Sequence, residues 1–241
     1  MSSNRGDRIY MKRITVIIIL CMCGNKIFSQ QPSTSHWTTI QSPVMINTHW
    51  QTITEASYRT LGESVKLNQL FLRAGARYNF NPKWNVSLSM DYVHSRVKPF
   101  DKDDLEFGNE LRIWQEVNHR TPLKKSYTLH HRFRIEERFF GITSQNQDYR
   151  ALRGRYRIGA VKKIATKWDL QLIEEYVEQL LDRRISFNQN RLALSGFFRY
   201  STNAHLEAAY YWVKYAKSTQ HVFSLTFQNR ILVKSKKKVN G

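Results

Sequence analysis

The chain has 241 residues, of which 38 are Lys or Arg and 19 are Asp or Glu, giving a formal net charge of +19. Its two cysteines, Cys21 and Cys23, both fall in the first thirty residues, so a chain shortened there carries no disulfide, thiolate nucleophile or cysteine metal site. After residue 30 no apolar run approaches the roughly 20 residues that a membrane helix needs, which excludes a helical membrane protein.

Arg5, Arg8, Lys12 and Arg13 precede an apolar run from Ile14 to Cys23, and Ile27-Phe28-Ser29-Gln30 offers a cleavage region with a small residue. This order predicts a cleaved secretory signal peptide over residues 1–30. Its loss removes five basic residues and one acidic one, and the remainder keeps a net charge of +15. The tail 233–241, with Lys234-Ser235-Lys236-Lys237-Lys238, would alone suit nucleic acid, but export argues against that partner. For an exported chain the acidic partners are anionic lipid headgroups and phosphorylated lipopolysaccharide, with an anionic solute as a further candidate.

Residues 31–48, including the stretch from Trp37 to Met45, read as a periplasmic lead-in or an extra strand. Beyond them a period of two recurs. The predicted strands are 49–60, 68–80, 84–96, 105–119, 125–140, 149–163, 168–180, 186–200, 204–216 and 220–232. In 125–140, Tyr127, Leu129, Phe133, Ile135 and Phe139 alternate with Thr128, His130, Arg132, Arg134, Glu136 and Arg138. Successive strand residues point to opposite faces, so one face is mostly apolar and the other charged. The segment 168–180 also fits a helix through Leu170, Ile173, Val177 and Leu180, and a bulge near Leu172 would reconcile it with a strand.

These strands exceed the usual globular length of about 5 to 6 residues and suit tilted membrane strands of roughly 9 to 11. Short links at Asn81-Pro82-Lys83, Thr121-Pro122-Leu123, Ala165-Thr166-Lys167 and Ser201-Thr202-Asn203 alternate with longer ones at 61–67, 97–104, 141–148 and 181–185. Short periplasmic turns and longer outer loops are the asymmetry of outer-membrane barrels. Trp50, Phe80, Trp84, Trp168 and Tyr200 flank the short turns and read as a periplasmic aromatic girdle. The expected fold is thus all-β: a transmembrane antiparallel up-and-down β-barrel over 49–232 in the cell outer membrane of a Gram-negative bacterium. Ten strands, with twelve as the fallback, let both ends lie in the periplasm without an unpaired edge. Such a chain needs the barrel-insertion machinery as a partner.

With Thr121-Pro122-Leu123 as the hairpin link, Glu106 faces Arg138, Glu110 faces Arg134 and Arg112 faces Arg132. The expected lumen cluster is Glu106, Glu110, Arg112, Arg132, Arg134, Glu136, Arg138, Arg153, Arg155 and Arg157. It serves either as a structural charge lattice in place of an apolar core or as the wall of a narrow pore favouring anions. The alternative is an outer-membrane hydrolase, a lipase or protease with a site at the extracellular rim. His94 and Ser95 are adjacent and so face opposite sides, as do His130 and His131. Asp101, Asp103 and Asp104 read as a solvated acidic loop. No catalytic, metal or cofactor site is assigned.

Several stretches together resemble the outer-membrane family catalogued as domain of unknown function 2490. They include Trp37, Trp50 to Arg59, Glu110-Leu-Arg-Ile-Trp114-Gln115 and His131-Arg-Phe-Arg-Ile-Glu-Glu-Arg-Phe139. Arg153-Gly-Arg-Tyr-Arg157, Phe187-Asn-Gln-Asn-Arg191 and His221-Val-Phe-Ser-Leu-Thr-Phe227 continue the likeness. The resemblance implies a barrel and assigns no activity. The run from Arg230 to Gly241 departs from an ending at Phe227, where the C-terminal insertion signal of such barrels would stand.

Overall fold

A computed structural model describes residues 33–62, 66–97, 106–124 and 126–233. The expected signal peptide, the loop aspartates Asp101, Asp103 and Asp104, and the tail from Lys234 lie outside the described residues. The strands are β1 Ser33–Gln41, β2 Val44–Met45, β3 Trp50–Thr60, β4 Leu67–Asn79, β5 Trp84–Arg96, β6 Phe107–Lys124 and β7 Tyr127–Phe140. Then follow β8 Tyr149–Lys163, β9 Trp168–Leu181, β10 Arg184–Arg199, β11 Ala204–Tyr215, β12 Thr219–Asn229 and β13 Ile231–Leu232.

From β3 to β12 each strand pairs antiparallel with the next, in a simple meander. The barrel closes through β1, which pairs parallel with β12 over Ser33–Gln41 and antiparallel with β3 from Trp37 to Gln41. The expected count of ten strands, or twelve, is therefore corrected to eleven long ones. β1 was hard to read because Thr34, His36 and Thr38 on one face differ little in polarity from Ser35, Trp37 and Thr39 on the other. An odd count also reverses the expectation that both ends share one side: Ser33 pairs with Gln220 beside the 216–218 link, whereas β12 ends at the opposite rim. β1 satisfies the backbone of both neighbours, so no edge is left despite the odd number.

Three further corrections concern links. Thr121, Pro122 and Leu123 lie within β6, which runs on to Lys124 before β7 begins at Tyr127, with an irregularity between Pro122 and Lys124. Pro122 is tolerated because a ladder disturbed near a strand end does not need its missing N–H. The 181–185 link shrinks to Asp182 and Arg183, whose φ values of 49° and 63° form the mirror-image turn that matches strand twist. β9 is regular, and the bulge lies instead on β10 between Phe187 and Gln189.

The strand ends at Met45 and Trp50, Asn79 and Trp84, Lys124 and Tyr127, Lys163 and Trp168, and Arg199 and Ala204 lie at one rim, while those at Thr60 and Leu67, Arg96 and Phe107, and Phe140 and Tyr149 lie at the other with the tight 182–183 and 216–218 connections. Two of the short turns share a device. Asn47 Oδ1 accepts from the backbone N–H of His49 and Trp50 at 2.9 and 2.8 Å, and Asn81 Oδ1 accepts from Lys83 and Trp84 at 2.8 and 3.0 Å. Each asparagine thereby mimics a backbone turn and sets a tryptophan at the foot of the next strand.

Candidate functional site

Alternation sorts the side chains of the barrel into two faces. On β7 the residues Arg134 and Glu136 are buried and point into the lumen, while Phe133 and Ile135 are exposed on the outside. On β9 Glu175 and Val177 are buried, and Leu172, Tyr176 and Leu180 are exposed. The distribution inverts that of a water-soluble domain, because Glu136 and Glu175 have no exposed surface while Leu88 and Leu194 are 56% and 55% exposed.

A buried carboxylate is tolerable only when paired and hydrogen-bonded, and each one here sits among guanidiniums. Glu136 accepts from Arg153 Nε at 2.6 Å and Arg155 Nη1 at 2.7 Å, with Arg134 at 3.5 Å. Glu175 holds Arg155, Arg132 and Arg157 at 2.6, 2.8 and 2.8 Å. Glu116 takes Arg134 Nε at 2.7 Å, with Arg132 at 3.5 Å. Glu110 takes Arg112 at 2.6 Å and Arg138 at 2.5 Å. Because Arg134, Arg155 and Arg132 each touch two carboxylates, the pairs of Glu116, Glu136 and Glu175 join into one lattice spanning β6 to β9, while Glu110 with Arg112 and Arg138 forms a group of its own.

The expected partners are corrected. Facing positions on β6 and β7 set Arg112 against Arg138, Trp114 against Glu136 and Glu116 against Arg134. The expected Glu106–Arg138, Glu110–Arg134 and Arg112–Arg132 oppositions do not occur, because β6 continues through Pro122. The slip is an even number of residues, so every side chain keeps its face while changing partner. Glu106 lies at the rim, where its carboxylate accepts from the backbone and hydroxyl of Ser144.

Other lumen residues join the lattice without having been assigned to it. Asp91 binds Arg73 at 2.7 Å and accepts from the indole Nε1 of the buried Trp114 at 2.8 Å. Arg134 and Arg73 stack on the Trp114 ring at 3.8 and 4.9 Å. Arg73 also reaches Glu55 at 3.2 Å. Arg73 and Asp91 stood on the polar faces of their strands in the sequence, whereas Glu175 was masked by the helix-like spacing of β9.

The lattice leaves two cavities. One of about 710 Å³ opens toward the long links and is lined by arginines with Trp37, Phe71 and Tyr211. The other, about 410 Å³, opens toward the short turns beside Arg77, Arg120, His130, His205 and Arg230. Arg73, Arg132, Arg134 and Arg157 border both, as do His130 and His205, so the two spaces adjoin along the lumen.

Trp50, Phe80, Trp84, Trp168 and Tyr200 all sit at the short-turn rim and are 44–55% exposed. Trp50 and Phe80 both pack on Tyr78, and across strands Trp84 pairs with His119, Trp168 with Phe198 and Tyr200 with Phe227. His94 is bonded to Asn109 at 2.7 Å, whereas Ser95 accepts from Gln69 at 2.7 Å on the other face. His131 bonds Tyr156 at 2.8 Å, and His130 borders the lumen.

Fold and interior together define a closed eleven-stranded β-barrel with a charged lumen. The chain belongs to the DUF2490 family of proteins of unknown function, whose model matches residues 34–223. Among solved structures it resembles the β domain of the Bordetella autotransporter BrkA, with a TM-score of 0.50 and 10% identity over 75% of this chain and 83% of that one. That likeness concerns the fold. No curated protein matches the sequence.

Proposed function

We propose that this protein is an exported outer-membrane β-barrel whose arginine–carboxylate lattice holds the wall rigid and narrows the lumen to an anion-favouring passage. The observation that carries this reading is the inverted distribution of side chains. An outer surface of exposed leucine, phenylalanine and isoleucine around buried glutamates suits hydrocarbon, since contiguous apolar patches of that extent are rare on monomers in water. Closure through β1 supports it, because no strand edge would meet lipid unpaired. The rim aromatics form the periplasmic girdle in this reading, and the longer links face outward toward lipopolysaccharide. Insertion requires the barrel-assembly machinery of the outer membrane. The surplus of arginine around both cavities favours small anions over cations.

Fractionation and electrophoresis with and without boiling test the fold in the membrane, with a heat-dependent mobility shift as the expected result. Reversal potentials in planar bilayers under a salt gradient test the passage. The wild-type protein is expected to prefer chloride and Arg134→Glu to lose that preference. Recovery in the aqueous fraction would overturn the membrane reading, and cation preference would overturn the passage.

A further inference from the structure

Most arginines lining the larger cavity are neutralised by a carboxylate at close range, but two of them are not. Arg59 of β3 donates to Gln69 Oε1 at 2.7 Å and to Ser57 Oγ at 3.3 Å, both uncharged oxygens. Arg191 of β10 comes no closer than 3.9 Å to Glu175, which three nearer arginines already occupy. The Nε of Arg191 is buried with no hydrogen-bond partner among the described residues.

Both guanidiniums converge on one indole. Trp37 faces Arg59 directly across the β1–β3 seam, with the guanidinium 4.3 Å from the ring centre, and Arg191 lies 5.7 Å from the same ring. Trp37 is fixed by its own Nε1–H, which donates to Ser35 Oγ at 3.1 Å, and by the Tyr211 ring at 5.7 Å. Two positive groups so placed repel each other, and indole contact does not supply a countercharge. Around them lies the larger cavity, whose lining carboxylates are Glu55, already bound to Arg73, and Glu207.

We infer that Arg59 and Arg191, organised on Trp37, form a binding site for a small phosphate-bearing dianion in the larger cavity. The guanidinium fork presents parallel N–H donors that match tetrahedral oxyanions. Two such groups supply the charge that a dianion needs, and the free Nε of Arg191 supplies a donor with nothing yet to bind. A chamber of about 710 Å³ also has room for more than a bare ion, so a phosphomonoester fits as well as inorganic phosphate. The inference uses the enclosed lumen of the proposed function but does not require that ions pass through it.

Calorimetry on the full protein in detergent, titrated separately with inorganic phosphate and with glycerol 3-phosphate, tests the site. Both ligands are expected to bind at one site, and the tighter one identifies the source. Arg59→Gln and Arg191→Gln should each weaken binding by roughly tenfold or more. Arg199→Gln, which removes the partner of Asp169 at the other end of the lumen, should leave it unchanged. Trp37→Phe should abolish the fluorescence response to phosphate while retaining most of the heat signal. Retained heat-dependent migration certifies that each variant is folded, and Arg191→Lys replaces any that is not, with the same loss expected because a lysine cannot form the fork. No phosphate binding by the wild-type protein, or an equal loss in Arg199→Gln, would overturn the site. Phosphate binding without bilayer conductance would leave the site standing and remove only the passage.

Discussion

Arg155 directs both Nε and Nη2 at a single oxygen of Glu175, at 2.6 and 2.5 Å, inside a barrel wall where Glu175 has no exposed surface. The same arginine reaches Glu136 with its other nitrogen, so it bridges two buried anions directly. Charge-assisted bonds of this kind are roughly twice as strong as neutral ones. Their net contribution is smaller than their geometry implies, because taking the charges out of water is costly. The lattice is therefore understood best by what its disruption leaves unpaired.

Glu175→Gln leaves Arg132, Arg155 and Arg157 without their shared carboxylate. Removing one partner of a buried ion pair typically costs about 3–5 kcal/mol, so the temperature at which the folded band converts to the unfolded one should fall markedly. Adding Arg157→Gln should restore part of the loss, since it removes one of the stranded charges. A Glu175→Gln barrel as heat-resistant as wild type would mean that water, not the lattice, solvates these arginines.

The β6–β7 register can be fixed by oxidation. Val117 faces Phe133, and both are exposed on the outer surface, so the pair Val117→Cys with Phe133→Cys should form a disulfide on mild oxidation. Val117→Cys with Tyr127→Cys should not, although a hairpin turning at Thr121-Pro122-Leu123 would bring those two together. Mobility on non-reducing gels distinguishes them.

That register shows which parts of the structure the sequence could carry. Face depends on parity, and parity survives any even slip, so Glu110, Arg134, Glu136 and Arg155 could be placed inward from alternation alone. Pairing depends on where the chain turns, and Thr121-Pro122-Leu123 has turn chemistry that the β6–β7 ladder overrides. β1, which the sequence leaves open between a lead-in and an extra strand, is ambiguous for a different reason. Its Ser and Thr residues on both faces give little amphipathic contrast, and its place between β12 and β3 depends on non-local backbone pairing. Arg59 and Arg191 stood out no more than other arginines, because convergence on Trp37 is a property of the closed barrel and has no local signature.

Eleven strands place Ser33 at the long-link rim and the 200–203 turn at the other. In the proposed orientation Ser33→Cys should react with a membrane-impermeant maleimide on intact cells, while Ser201→Cys reacts only after lysis. Labelling of Ser201→Cys alone on intact cells would invert the orientation and move the phosphate site to the periplasmic side.

Gly75 marks a tight approach between β4 and β5. A Cβ added at Gly75 would stand 2.4 Å from the Cβ of Ser89 and 2.5 Å from the carbonyl oxygen of Leu88. Ser89 is itself held by its hydroxyl, which donates to the Ala74 carbonyl at 2.7 Å, so neither neighbour can simply rotate away. Overpacking of this kind costs about 1–3 kcal/mol, and Gly75→Ala should lower the urea midpoint accordingly. Ser89→Gly in the same chain should recover only part of it, because the Leu88 carbonyl remains in place. Gly154 offers the contrast: it lies on the lipid-facing side in the proposed orientation, with nothing within 4 Å of an added Cβ. Gly154→Ala should leave the midpoint unchanged or raise it slightly, since alanine loses less backbone entropy on ordering. Equal losses at the two glycines would show that the midpoint responds to strand propensity in general rather than to the β4–β5 contact.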